Sequence, residues 1–143
     1  MSEKPGLRRR AREAALQVLF AAEGGVLDPE AVEQTYEEVM REFSLPRRAS
    51  QRARELALGV AQNRKAIDER IAGASARWKL DRLARVDRNV LRIATYELLF
   101  EAQTPAAVVI DEAVEIARRF AGGESPGFVN GVLDAIARER DRA

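Results

Sequence analysis

Apolar positions along this chain recur at spacings of three and four residues, the period of one helix face, and no alternating run is closed by an Asn-Gly or Asp-Gly turn. The pattern predicts helices over about residues 6–22, 29–43, 47–73, 79–84, 87–101, 105–121 and 125–139. In the third, Ala53, Leu56, Ala57, Val60, Ile67 and Ile71 trace one stripe, interrupted by Arg64, whose aliphatic stem can line a helix seam. Val109, Ile110, Ala113, Val114, Ala117 and Phe120 trace another, and Phe128, Val129, Val132, Leu133 and Ile136 a third. Asp28-Pro29, Thr104-Pro105 and Ser125-Pro126 each put a capping side chain before a proline suited to the first helical position. Gly24-Gly25 and Gly122-Gly123 follow helical runs, where left-handed caps form.

Each apolar stripe needs a neighbouring helix, and the connections are short. The expected fold is all-α: about seven helices in two packed three-helix-type subdomains, residues 1–78 and 79–143, meeting near Trp78 and Leu80. The first helix adds a complication. Leu7, Ala11, Ala14, Ala15, Val18 and Ala22 share a core face, while Arg9, Glu13, Leu16 and Phe20 form a second stripe well off it. A helix with two such stripes is either central in a bundle or covered by another molecule.

Composition narrows the function. The 143 residues are 46% hydrophobic and 33% charged, which suits a globular domain better than a disordered chain. With neither Cys nor His, thiol nucleophiles, zinc fingers and Ser-His-Asp arrangements are excluded. No stretch of roughly 18 apolar residues is present and the start carries no signal-peptide pattern, so no membrane association and a cytoplasmic location are expected. The net charge of +1 hides blocks: +4 over residues 1–12, −6 over 23–42, +8 over 46–92 and −4 over 93–143. Such local fields select anionic partners even when the total is neutral.

Two places carry candidate chemistry. Arg8, Arg9, Arg10 and Arg12 crowd the first helical turns, where each exposed cation opposes the helix dipole by about 0.3–1 kcal/mol. A phosphate polyanion reverses that sign; a solvated, solubilising terminus is the competing account. Residues 124–131, ESPGFVNG, are the second place. Asn130 and Gly131 sit one turn into an apolar helix, and a mid-helix Gly costs about 1 kcal/mol. Either Gly131 lets two helices approach while Asn130 bonds a neighbouring backbone, or Phe128 and Asn130 offer a stacking and phosphate-binding site at a helix start. The carboxylates Glu37, Glu38, Asp111, Glu112 and Glu115 read as a solvated set that complements helix dipoles, not as a paired-acid active site. No GxxxxGK[ST] loop occurs. Neither a metal nor a cofactor is expected, and the chain reads as a non-enzyme.

RRRAREAALQVLF (Arg8 to Phe20), VDRNVLRIATYELLF (Val86 to Phe100), TPAAVVIDEAVEIARRF (Thr104 to Phe120) and GGESPGFVNGVLD (Gly122 to Asp134) resemble the transcription antitermination factor NusB family. The resemblance is nearly continuous over the C-terminal fifty or so residues, whereas residues 24–76 match chiefly in length and helical pattern. It implies an all-helical fold, binding of boxA-type single-stranded RNA in nascent ribosomal RNA leaders together with NusE, a small-subunit ribosomal protein, and assembly into an RNA polymerase antitermination complex. By position it assigns Arg8, Arg9, Arg10 and Arg12 to an arginine-rich RNA-binding start, and Phe128 with Glu124 to a second RNA-contacting region; Asn130, retained in FVNG, is counted with that region as a candidate RNA contact beside its structural reading. Phe20 and Asp87 fall where the family contacts NusE. Phe20 stands where Tyr is frequent, which removes a hydroxyl; Asp87 replaces Glu and Glu124 replaces Asp, which keeps charge and changes reach. Two other readings stay open: a helical protein-interaction module that never touches RNA, and a stand-alone relative of the NusB-like domain of RNA cytosine methyltransferases.

Overall fold

A computed structural model describes residues 6–24, 27–75 and 79–142, with only the backbone described for Asp81. Trp78, expected at the subdomain seam, and Gly25 lie outside the described residues. Among the described residues there are seven α-helices, one 3₁₀ turn and no strand. They group into two compact units divided between Gln62 and Asn63.

The first unit holds α1 (Leu7–Ala22), α2 (Pro29–Met40) and α3 (Arg47–Gln62). Asp28 caps α2 as expected, its carboxylate accepting from the Ala31 N–H at 2.8 Å with Pro29 in the first helical position. The α1 helix packs on both α2 and α3. That central position buries a wider arc than one core face: Leu16 is in the core, and Arg12 and Glu13 are buried beside it. The second stripe therefore does not lie wholly outside the core, while Leu7, assigned to the core face, is exposed at the helix start. The Tyr36 hydroxyl bonds to Ser50, and Arg54 pairs bidentately with Glu33 at 2.7–3.0 Å, tying α2 to α3.

The second unit holds α4 (Arg64–Ala74), the 3₁₀ turn Leu80–Arg82, α5 (Arg85–Phe100), α6 (Ala106–Phe120) and α7 (Ser125–Arg142). It has four helices where three were expected, because the long third helix of the sequence reading breaks at Asn63, which leaves helical geometry at φ −118°, ψ 20°. Beyond the break, Ile67 and Ile71 enter the core of this unit while Arg64 is exposed and pairs with Asp68. The α5 helix packs on α4, α6 and α7 and is buried almost all round. It carries polar groups into that core, and two of them are bonded to each other: Arg92 donates to Asp68 at 2.9 and 3.1 Å and to Asn89 Oδ1 at 3.0 Å, while Asn89 donates to the Arg85 carbonyl.

Not every cap forms as the dipeptides suggest. Pro105 itself stands at the N-cap of α6, without a side-chain capping bond, and α7 begins at Ser125, whose hydroxyl is engaged elsewhere. After α6 the expected left-handed turn is present, with Gly122 at φ 71° and Gly123 at φ 57°, conformations open to glycine at little cost. Gly24, by contrast, does not adopt positive φ.

Candidate nucleic-acid interface

The arginine start belongs to the first unit. Its four side chains are not equivalent: Arg8 is exposed, Arg9 and Arg10 are half-buried, and Arg12 is only 7% exposed. Arg10 donates to the Ser44 carbonyl at 3.0 Å, linking α1 to the connection between α2 and α3. Arg12 is therefore not part of a solvated terminus: α1, packed on both α2 and α3, holds it buried. Phe20, on the same helix, is 38% exposed, so of the apolar pair Leu16 and Phe20 in the second stripe only Phe20 stays open.

The remaining candidates lie in the second unit. The short loop before α5 and the first turn of α7 enclose a groove of about 820 Å³ whose walls include Arg82, Leu83, Asp87, Glu124, Ser125 and Phe128. One wall is fixed from below, since Arg88 on α5 donates to the carbonyls of Leu80 and Leu83, both at 3.1 Å. The opposite wall follows from the Gly122-Gly123 turn, which swings the chain from α6 into α7. Phe128 is half-buried, with its N–H bonded to the Glu124 carbonyl, and Glu124 is exposed at the rim.

Asp87 sits in the first turn of α5, where the helix dipole favours a carboxylate. It is 9% exposed. Oδ2 accepts a hydrogen bond from the Ser125 hydroxyl at 3.1 Å, and Oδ1 is buried with no hydrogen-bond partner among the described residues. The structure thus brings Asp87, Glu124 and Phe128 to one groove. Asn130 and Gly131, one turn further along α7, are exposed, and a Cβ added to Gly131 would meet no neighbour within 4 Å. The packing account of this pair, a close helix approach through Gly131, is not what the structure shows.

Ser125 reads in the sequence as a helix cap, whereas in the fold its hydroxyl bonds Asp87 of α5. Arg82 and Leu83 carry no local signal that marks them as groove walls. The cap signal at Ser125 is a real propensity, but the side chain's partner is set by a residue 38 positions away. No cluster of acids among the described residues is arranged to hold a metal ion, and no described helix is long and apolar enough to cross a membrane.

Fold and site together define an all-α binding protein, with arginines on its first helix and an acidic, aromatic groove at the start of its last. Residues 9–138 match the NusB family. Transcription antitermination protein NusB of Sorangium cellulosum is 47% identical over 137 residues, 96% of each chain. A solved NusB from T. maritima is similar over 96% of this chain and 94% of that one, at 41% identity and a TM-score of 0.80. In a crystal structure of antitermination factors NusB and NusE in complex with dsRNA, a chain is similar over 93% of this one and 97% of its own length, at 28% identity and a TM-score of 0.78. The chain belongs to the NusB family.

Proposed function

We propose that this protein is an RNA-binding transcription antitermination factor, which recognises boxA-type RNA in nascent ribosomal RNA leaders together with NusE and promotes antitermination by RNA polymerase. It works by binding, without catalysis, in the cytoplasm where transcripts are made. The observation that carries the reading is the groove at the start of α7, lined by a half-buried Phe128 and an exposed Glu124, with the exposed Asn130-Gly131 pair further along the same helix outside it. Phe128 offers a face for base stacking and Asn130 an amide for hydrogen bonding. Arg8, with Arg9 and Arg10, supplies cations for phosphates, and Arg12 supports the helix that presents them. Phe20 and Asp87 serve the protein partner. Similarity to a NusB chain crystallised with NusE and dsRNA supports the pairing of protein and RNA on one factor.

A gel-shift series with boxA-containing and scrambled RNA of equal length, with and without NusE, tests the reading. Preferential binding of boxA RNA, tightened by NusE, is expected. Equal retention of both RNAs in the presence of NusE overturns it and favours a module that contacts protein alone.

A further inference from the structure

The first unit carries a second group of cations beside the arginine start. Arg47 and Arg48 open the basic block of residues 46–92 and stand in the first turn of α3, which holds no acid. The α2 and α3 helices run antiparallel, since Tyr36 bonds to Ser50 while Glu33, earlier in α2, bonds to Arg54, later in α3. The start of α3 therefore lies beside the end of α2, where the Ser44 carbonyl accepts from Arg10, in the first turn of α1, at 3.0 Å. Arg47 is three residues beyond Ser44, so their Cα atoms lie within roughly 11 Å. In both helices the Cα–Cβ bonds tilt toward the N-terminus, which aims the first-turn side chains at this shared end of the unit. Around α3, Ser50 and Arg54 turn to α2; at about 100° per residue Arg48 falls on the flank away from them, toward α1. Arg8, Arg47 and Arg48 are exposed, and their side chains make no hydrogen bond or ion pair among the described residues. The acids flanking Arg47 and Arg48 in sequence do not neutralise them: Glu42 is exposed without an ion pair there, and Glu55 pairs with Arg52.

We propose that Arg47 and Arg48 form one phosphate-binding surface with the arginine start of α1, so that RNA leaving the α1 arginines continues over the start of α3. The inference rests on the functional reading above and lengthens the RNA footprint it implies. Exposed cations in a first helical turn oppose the helix dipole, and an RNA backbone laid across both starts reverses that sign for α3 as it does for α1. Guanidinium forks match phosphate oxygens whatever base the nucleotide carries, so these contacts add affinity without reading sequence. Arg10 joins the two halves of the surface: its bond to Ser44 holds the connection between α2 and α3 against α1, and with it the start of α3.

The test is a salt titration of RNA affinity on the full chain, read by anisotropy with saturating NusE and a boxA RNA that keeps flanking nucleotides on both sides. Wild type is compared with the double variants Arg47→Ala/Arg48→Ala and Arg47→Lys/Arg48→Lys, and with Arg54→Ala, which removes a cation from the α2 side of the same helix. The double Ala variant should flatten the log–log salt slope by about 1.4, two single-strand phosphate contacts at about 0.7 each, and should lose about ten-fold or more in affinity at 0.1 M salt. The double Lys variant, which keeps both charges, and Arg54→Ala should hold the wild-type slope. A flattening of less than about 0.7, short of one contact, overturns the surface. An equal flattening per charge in Arg54→Ala overturns it too, since a general field is then at work, as does a Lys variant that flattens as far as the Ala one. In each of those cases wild type that still prefers boxA RNA leaves the proposed function standing. Flattening in the double Ala variant together with equal binding of boxA and scrambled RNA supports the surface and overturns the boxA reading. Wild type that binds no RNA even with NusE overturns both.

Discussion

Phe128 and Arg12 occupy opposite ends of one problem, how much of a side chain the fold takes and how much it leaves for a ligand. The Phe128 ring is half-buried along the groove, so truncation removes a stacking surface while only part of a core contact is lost. Phe128→Ala should weaken RNA binding by about 1–3 kcal/mol, the range of base–aromatic stacking. Its stability loss should fall below the roughly 3–5 kcal/mol of a fully buried Phe. Melting and RNA titration on one preparation read both. For the arginines the balance tips the other way along a single helix. Arg8→Ala should leave stability within about 0.5 kcal/mol and lower the log–log salt slope of RNA binding by about 0.7, the share of one phosphate contact on a single strand. Arg12→Ala should instead destabilise by about 1–3 kcal/mol through lost buried contacts, visible as a lower melting temperature before any RNA is added.

At the level of the helix, α7 is the clearest case of local sequence opposing local structure. Gly127, Asn130 and Gly131 are poor helix formers in its first turns, yet none is demanded by close packing, since a Cβ at either glycine meets no neighbour within 4 Å. The rest of the helix offsets their cost through Val129, Val132, Leu133 and Ile136, all in the core. Gly131→Ala should therefore stabilise the protein by about 0.5–1 kcal/mol, a gain read directly from chemical denaturation. Reduced RNA affinity in the same variant would show that the bare backbone at this position serves the ligand. The end of α5 shows the converse, local structure completed from afar: Arg140 of α7 donates to the Leu98 carbonyl at 3.1 Å, satisfying an acceptor in the last turn of α5.

For the molecule as a whole, net charge is a poor guide, because +1 is the residue of large opposing blocks and because several charges are internal. Arg92 and Asp68, with side chains 7% and 13% exposed, form a closed ion pair between α5 and α4. Removing Asp68 takes the countercharge from the buried Arg92 guanidinium, which keeps its bond to Asn89. Asp68→Ala should cost about 3–5 kcal/mol and lower the melting temperature far more than loss of the exposed Arg52–Glu55 pair, which contributes about 0–1 kcal/mol. These two aspects of charge separate cleanly by salt: the buried pair should persist at high ionic strength, whereas RNA binding should weaken steeply.

Helix positions were legible in the chain because a 3.6-residue period needs only neighbours within one turn to declare itself. Asp28-Pro29 marked the start of α2 and Gly122-Gly123 the turn after α6 for the same local reason. The order of helices, the all-α class and the anomaly of Asn130 and Gly131 inside an apolar helix are readable on that local basis, whereas Asp87 and Glu124 come from the family resemblance and Arg82 and Leu83 from neither. What tertiary structure alone decided are properties that depend on distant neighbours. They include the break at Asn63, where Ile67 and Ile71 enter the core of the second unit, and the burial of Arg12 and Leu16 by helices on two sides of α1. The diversion of the Ser125 hydroxyl from capping α7 to bonding Asp87 belongs with them. A period records which face of a helix is apolar; only the packed fold determines how many neighbours cover it and which polar atoms meet across the gap.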